Sequence, residues 1–188
     1  KTLESMDILE RTVPVTETNP EKSKKGLYRI KDNYLRFWFR FLFPNMGLLE
    51  TGRAEEVLKI IKRNFIDSQV AFVYEDICRD ALFDLGIEGR IPFVPTRVGA
   101  WWGLGDVELD VVGLNQEEGR AIVGECKFWN RPVGLKVLRH LENQASIALG
   151  SAAFAPYIAG HSFAIFSISG FTDALRREAD ARNDLVLC

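Results

Sequence analysis

Carboxylates recur at alternate positions within residues 106–111, which read Asp-Val-Glu-Leu-Asp-Val. Fourteen residues separate Asp110 from Glu125, and Lys127 follows two positions later. Two carboxylates held at one place repel each other unless a divalent cation binds both. A lysine beside them can neutralise developing charge and orient a water. These residue types suit metal-assisted hydrolysis of a phosphodiester.

These side chains can meet only if two strands position them. Because side chains alternate across a strand, the three acids of residues 106–110 are predicted on one face and the intervening apolar residues on the other. Glu125 and Lys127 are predicted to share a face, with Cys126 opposite as a small core residue. A hairpin turn at 115–119 would bring Asp110 beside Glu125. The alternative is a charged ladder on a solvated sheet surface.

A third carboxylate, Glu75, lies in the middle of a predicted helix among apolar residues. A carboxylate on an apolar face is unfavourable without a partner. A metal ion or Lys127 would supply that partner. The alternative is a helix acid that is partly exposed to water.

The remaining pattern predicts a mixed sheet flanked by helices. Helices are predicted at 54–64, at 67–86 with Asp67 as its cap, at 133–149 and at 173–182 after the cap Thr172, and strands at 91–98, 106–114, 120–128 and 162–168. The order α-β-β-β-α-β-α is typical of the α/β class.

The first 44 residues differ from the rest in charge. They carry nine Lys/Arg against six Asp/Glu, whereas residues 45–188 carry fifteen against twenty, so the net charges are +3 and -5. A helix end, a strand, a basic turn and a second strand are predicted here, as in the second half of a winged helix. The basic turn contains Lys22, Lys24 and Lys25, which either lie in a solvated loop or contact phosphates.

An aromatic segment at residues 34–43 follows this hairpin. Read as a helix, it places Arg36 and Arg40 on one face and rings on most of the remainder. We expect it to be buried between two modules, and stacking of nucleic-acid bases on its rings is the alternative. The pattern gives two domains, at 1–45 and 46–188.

Composition narrows the class of protein. The chain has 188 residues, 47% of them apolar and 27% charged, with a net charge of -2, which is typical of a globular, cytoplasmic protein. No apolar run approaches the roughly 18 residues of a membrane span, and the N-terminus lacks a signal-peptide pattern. Three cysteines and two histidines are too few and too scattered for a disulfide framework or a His/Cys metal site.

In order and element context, Glu75, Asp110, Glu125 and Lys127 resemble the PD-(D/E)xK restriction-endonuclease-like superfamily. The resemblance implies an α-β-β-β-α-β core over residues 54–170. It implies that Asp110 and Glu125 bind Mg²⁺ or Mn²⁺ with help from Glu75, and that Lys127 is the catalytic lysine. The Pro-Asp half of the superfamily motif is absent, because Leu109 precedes Asp110.

In many relatives a polar residue of the following helix joins the site, and Gln144 or Glu142 takes that position here. Arg131 and Lys136 are predicted to contact nucleic acid, with His140 on the same helix. The alternative is a solvated helix face.

A narrower similarity extends over nearly the whole chain. Residues 26–30 and 34–40, together with the two acidic motifs, are similar to the C-terminal region of archaeal AAA-type (STAND-like) ATPases. There a nuclease-like domain follows a winged helix. The similarity implies an ATPase domain upstream as a partner and a chain that begins as a fragment. ATP is not expected to bind within these residues, because no Gly-x4-Gly-Lys-Ser/Thr phosphate loop occurs.

Two functions of different classes follow. The first is Mg²⁺- or Mn²⁺-dependent hydrolysis of DNA, which the three acids and the lysine favour. The second is a non-catalytic nuclease fold that docks partners or regulates the ATPase, with DNA bound by the winged helix. The net charge of -5 over residues 45–188 favours the second, because polyanion binders usually carry a basic face. A homo-oligomer is compatible with either.

Overall fold

The computed structural model describes residues 2–103 and 105–188. Lys1, the first residue of the predicted domain 1–45, and Leu104 lie outside this description. By their contacts the residues form two compact units, one of Lys1–Val13 with Lys24–Val73 and one of Pro14–Ser23 with Tyr74–Cys188. The predicted domains at 1–45 and 46–188 remain a prediction.

The first unit combines a small sheet with helices. Its elements are α1 (Thr2–Ser5), β1 (Leu9–Thr12), β2 (Leu27–Ile30), α2 (Asn33–Phe37), α3 (Met46–Glu50) and α4 (Ala54–Phe65). Strands β1 and β2 pair antiparallel, with Leu9 opposite Ile30. Asp32 begins α2 as its N-cap, because its carboxylate accepts a hydrogen bond from the Leu35 N–H at 2.8 Å.

Two π-helical turns extend these helices. One covers Trp38–Leu42 after α2, and the other covers Ile66–Val70 between α4 and α5 (Ala71–Ile87). The backbone stays helical on both sides of the second turn. The prediction that Asp67 caps a new helix is therefore wrong, because Asp67 lies inside the π-helical turn.

The second unit is built on a five-stranded sheet in the order β3-β4-β5-β6-β7. The strands are β3 (Arg97–Trp102), β4 (Glu108–Asn115), β5 (Arg120–Lys127), β6 (Gly160–Ser167) and β7 (Leu185–Leu187). Pairing is antiparallel from β3 to β5 and parallel from β5 to β7. The predicted mixed sheet and the hairpin between β4 and β5 are confirmed.

Helices α6 (Leu135–Leu149) and α7 (Asp173–Asp180) also belong to this unit. Thr172 caps α7 as predicted, because its side chain accepts a hydrogen bond from the Leu175 N–H. Among the residues described, no helix combines the length and apolar character needed to cross a bilayer.

The predicted strand at 91–98 is largely wrong, since β3 begins only at Arg97. Pro92 and Pro95 cannot donate to a sheet ladder, and residues 91–96 are irregular. Ile91 and Phe93 are nevertheless buried. The irregular segment 91–96 therefore contributes apolar side chains to the core although it lies outside the sheet.

The segment Pro14–Ser23 packs against the edge of the sheet. The Val15 N–H donates to the Ala100 carbonyl at 2.9 Å, and the Val15 side chain is buried. The Arg97 guanidinium donates to the Glu17 carbonyl at 2.7 Å. The segment that leads into the predicted basic turn is therefore anchored to β3.

Two apolar clusters cover opposite faces of the sheet. Ala121 and Val123 of β5 pack in the cluster that contains Leu141 of α6, whereas Ile122 and Cys126 pack in the cluster of α5. Cys126 is therefore a core residue, as predicted. The alternation along β5 decides which side chains reach α6 and which reach α5.

We expect Leu82→Ala to destabilise the fold by about 2–5 kcal/mol, because it removes a fully buried side chain of α5. A Cβ built at Gly113 would lie 2.7 Å from the Leu82 side chain, so Leu82 packs directly on the backbone of β4. The matched control is Ile77→Ala on the same helix, where the side chain is 57% exposed. Urea unfolding followed by circular dichroism measures both changes. Equal losses for the two variants would contradict this packing.

Candidate active site

Strand β4 contains a β-bulge next to Asp110. Between Leu109 and Val112, two residue steps of β3 oppose three residue steps of β4. Leu109 and Val112 both pack in the cluster of α6, while Val111 packs in the cluster of α5. The predicted strict alternation through residues 106–111 is therefore wrong, because the bulge adds one residue and redirects the side chains beside it.

The regular pairing of β4 with β5 ends at Val111 and Gly124. Beyond this pair, the Cys126 N–H donates to the Asp110 carboxylate at 2.9 Å. The backbone carbonyl of Asp110 accepts a hydrogen bond from Arg79 Nε at 2.8 Å. Both backbone groups are therefore satisfied where the ladder stops, and Asp110 is held beside β5.

Glu125 and Lys127 lie on the face of β5 that packs towards α6. Glu125 is 7% exposed and accepts a hydrogen bond from Lys127 Nζ. Burial raises the pKa of Glu125, and the charge of Asp110 raises it further, whereas Lys127 and His140 lower it. Asp110, Glu125 and Lys127 therefore interact electrostatically at this end of the hairpin.

Lys127 remains protonated at neutral pH. Burial lowers its pKa, but the hydrogen bond to Glu125 and the charges of Glu125 and Asp110 outweigh burial and hold the pKa above its ordinary value. Its side chain is 22% exposed. Lys127 can therefore stabilise negative charge but cannot accept a proton in this state.

Glu75 of α5 has a different partner from those predicted. Its carboxylate accepts a hydrogen bond from Arg79 at 2.9 Å, and the same guanidinium binds Asp76 at 2.5 Å. Burial and then the charge of Asp110 raise the pKa of Glu75 to about 7, although Arg79 lowers it. The carboxylate of Glu75 therefore interacts electrostatically with Asp110, whereas its direct hydrogen-bond partner is Arg79.

The site offers a cation two carboxylates rather than three. Within residues 2–103 and 105–188, no group of three or more His, Cys, Asp or Glu side chains could hold a metal ion. Mg²⁺ commonly binds proteins through one or two carboxylates and retains water ligands. Asp110 and Glu125 belong to neighbouring strands and fit that requirement, whereas Glu75 lies on α5 and binds Arg79.

The predicted nucleic-acid contacts lie on exposed surfaces. The Arg131 guanidinium stands 4.9 Å from the centroid of the Trp129 ring, and Lys127 Nζ lies 5.5 Å from the same centroid. Trp129 thus links Arg131 to the candidate site. Lys136 is exposed on α6. The other predicted contacts, also exposed, are Lys22, Lys24 and Lys25.

The two polar candidates on α6 differ in their surroundings. Glu142 accepts a hydrogen bond from Arg182 at 2.5 Å, so its charge is used to hold the chain after α7. Gln144 is half-buried, and its Oε1 has no hydrogen-bond partner among the described residues. Gln144 is therefore the better candidate of the pair for a role in binding.

Arg79 and Trp129 are site residues that the sequence reasoning missed. Arg79 lies one helical turn after Glu75, and side chains at this spacing face each other. Trp129 lies two positions after Lys127 and two before Arg131. Both spacings could have indicated the contacts.

The fold and the site define a mixed α/β protein with carboxylates and a lysine at the end of a β-hairpin. The chain belongs to the DUF234 family, archaeal and bacterial proteins of unknown function, whose profile matches residues 38–144. The matched range contains Glu75, Asp110, Glu125 and Lys127.

One similar protein is much longer than this chain. The chain is 35% identical over 128 residues to the uncharacterized protein MJECL04 of Methanocaldococcus jannaschii. The match covers 68% of this chain and 28% of that relative, so the chain spans less than a third of the relative's length. No solved structure matches the chain.

We expect the contribution of Glu75 to stability to fall as pH rises from 4.5 to about 7. The raised pKa means that the folded state binds more protons than the unfolded chain between these values. Glu75→Gln removes this titration, so the unfolding free energy of the variant relative to wild type should increase from pH 5 to pH 8. Urea unfolding in EDTA measures the difference in unfolding free energy between the variant and the wild type. A difference that does not change with pH would contradict the raised pKa of Glu75.

Arg79→Gln should raise the titration midpoint of Glu75 above 7, because Arg79 lowers the pKa of this carboxyl. It should also destabilise the fold by about 1–3 kcal/mol, since the Asp110 carbonyl loses its donor. Carboxyl ¹³C NMR measures the midpoint and urea unfolding the stability. The control is Arg90→Gln, whose 3.5 Å ion pair with Glu88 is exposed. An unchanged Glu75 midpoint in Arg79→Gln would exclude this role.

Proposed function

We propose that this chain is a metal-dependent nuclease module that hydrolyses DNA at Asp110, Glu125 and Lys127. The observation that carries the proposal is the Asp110 carboxylate beside the buried Glu125–Lys127 pair, where β4 and β5 separate. Adjacent carboxylates repel, and a divalent cation would relieve that repulsion. The arrangement therefore supports phosphodiester hydrolysis better than a solvated charge ladder.

Asp110 and Glu125 would hold Mg²⁺ or Mn²⁺, which supplies Lewis-acid chemistry for phosphoryl transfer. Protonated Lys127 would stabilise the negative charge that develops on the phosphoryl oxygens as water attacks. Glu75, with a pKa of about 7, has the acidity of a group that accepts a proton at neutral pH. Arg79 would keep Asp110 in position through its backbone carbonyl.

Exposed cations would add contacts with DNA. Arg131 is stacked near Trp129 beside Lys127, where it would meet a phosphate next to the scissile bond. Lys136 and the three lysines of the basic turn would add phosphate contacts. These positions favour binding to the backbone of DNA without reading its sequence.

We also propose a restriction-endonuclease-like fold and an upstream ATPase partner. The order of helix α5, the antiparallel strands β3 to β5, helix α6 and the parallel strand β6 supports the fold. The ATPase rests on the similarity to archaeal AAA-type ATPases. A relative more than three times as long as the matched region is compatible with such an arrangement.

A second candidate is a non-catalytic module that docks a partner or regulates the ATPase, with DNA bound by the partial winged helix. The ion pairs that two of the acids already form favour this non-catalytic module. Lys127 already neutralises Glu125, and Arg79 neutralises Glu75. An acidic site with internal partners does not require a cation to be stable.

Supercoiled plasmid should be nicked by this chain in Mg²⁺ or Mn²⁺ and not in EDTA. Asp110→Asn should abolish cleavage by removing a ligand, and Lys127→Met should slow it by about 10²-fold or more by removing charge stabilisation. The matched control is Asp106→Asn, which changes an exposed carboxylate of the same segment and should cleave normally. Gel electrophoresis resolves the nicked and supercoiled forms.

Calorimetric titration with Mn²⁺ separates the two candidates. A nuclease should bind Mn²⁺ in a manner that depends on Asp110 and Glu125. Failure to bind Mn²⁺, together with no cleavage of double-stranded, single-stranded or branched DNA, would exclude the nuclease and favour the docking module.

A further inference from the structure

A cavity of about 350 Å³ opens on the surface of the first unit. The residues that line it include three arginines and two phenylalanines, namely Arg29, Arg36, Arg40, Phe39 and Phe72. This volume lies within the range of small-molecule sites, about 300–1,000 Å³. Strand β2, the helical segment after it and the start of α5 supply these groups.

Both π-helical turns of the unit contribute to this cavity. Phe39 and Arg40 belong to the turn Trp38–Leu42, and Ser68 belongs to the turn Ile66–Val70. Such turns are rare and occur frequently at functional sites, because the extra residue redirects the side chains around it. The presence of two such turns at one cavity therefore indicates a binding site. This backbone evidence is independent of the types of side chain that line the cavity.

The three arginines are held differently. Arg29 forms an ion pair with Glu10, and Arg36 donates to the Ile30 carbonyl at 2.9 Å. Arg40 is exposed, and its guanidinium makes no hydrogen bond or ion pair with any other described residue. Two of the cations are thus fixed in the wall of the cavity, and the third is available to a ligand.

The rings and the charge indicate the class of ligand. Phe39 is 49% exposed and Phe72 is 47% exposed, so about half of each side chain is accessible to solvent. The first unit carries twelve Lys/Arg against eight Asp/Glu, a net charge of +4, whereas the second carries -6. Basic grooves with accessible aromatic rings bind single strands, because bases stack on the rings and phosphates meet the cations.

We propose that this cavity binds an unpaired nucleotide of a single-stranded nucleic acid. The base stacks on Phe39 or Phe72, and Arg40 contacts the adjoining phosphate, with Arg36 and Arg29 adding positive charge. A duplex does not suit the cavity, since its bases are already stacked on one another. An acidic peptide would use the arginines but would place no base on the rings. This inference goes beyond the proposed function, because it involves neither the strand acids nor a metal.

Fluorescence anisotropy with a labelled ten-residue oligo(dT), measured in EDTA, tests the proposal. Phe39→Ala should weaken binding at least about fivefold through the loss of one stacked base. Arg40→Ala should weaken it and reduce the salt dependence by about 0.7 in the slope of log K against log salt concentration, as expected for one phosphate contact. Circular dichroism checks that both variants fold.

Matched controls lie on the same unit. Tyr28→Ala changes a ring that is 60% exposed, and Arg63→Ala an exposed cation, and neither residue lines the cavity. Both should bind oligo(dT) like the wild type. Asp110→Asn should also bind normally, so failure of this proposal is distinguishable from failure of the nuclease proposal.

Competition with three other ligands tests whether the cavity prefers a single strand, a free nucleotide or an acidic polypeptide. An abasic oligonucleotide of equal length should compete at least about fivefold less well than oligo(dT), because it lacks the stacking base. Equal competition by the abasic strand would overturn the proposal, since phosphates alone would explain binding. Competition by dTMP at the affinity of the oligonucleotide would indicate a site for free nucleotides instead. Stronger competition by polyglutamate would indicate an acidic protein partner.

Discussion

The hydrogen bond from the Cys126 N–H to the Asp110 carboxylate is the interaction on which the candidate site depends. Strands β4 and β5 stop pairing one step earlier, at Val111 and Gly124. In a regular ladder a backbone carbonyl would accept that N–H, and the carboxylate would be free to point elsewhere. Next to the bulge in β4, the Asp110 carboxylate takes the place of the backbone carbonyl as the acceptor. The bulge therefore brings an acid to the edge of β5 without leaving a backbone donor unsatisfied.

The electrostatics of the site follow from this placement. Asp110 raises the pKa of Glu125 on the neighbouring strand and of Glu75 on α5, so one carboxylate links two others. Two cations limit the repulsion, because Lys127 binds Glu125 and Arg79 binds Glu75. Arg79 also binds the Asp110 carbonyl, which ties the helix to the bulge. The acids are thus close enough to interact, and each has its own hydrogen-bond partner.

The two units have opposite charge and different chemistry. The unit built on the five-stranded sheet is acidic and contains the carboxylate site, whereas the smaller unit is basic and contains exposed rings. The overall charge of -2 conceals this division. The cations are therefore concentrated in the smaller unit and the carboxylates in the larger one.

Local sequence determined the β-hairpin, the helix on each side of it and the cap at Thr172. These features depend on periodicity and on side-chain hydrogen bonds within a few residues, so they are visible without a structure. The local sequence also predicted that Asp110 lies near Glu125 and that Glu125 and Lys127 share one face of the strand. The irregular segment at 91–96 was not predicted, because the burial of Ile91 and Phe93 depends on packing against strands β4 to β6, which lie further along the chain.

Only the tertiary structure decided the bulge, the partner of Glu75 and the π-helical turns. A bulge is set by the pairing of β4 with β3, whose residues are not neighbours in sequence. Arg79 was one turn from Glu75, but its bond to the Asp110 carbonyl spans 31 positions. Strand alternation and helix caps are properties of a short stretch, whereas these contacts require the completed sheet and its helices. The sequence by itself therefore determined which residues could do chemistry, and the folded chain determined how each one is held.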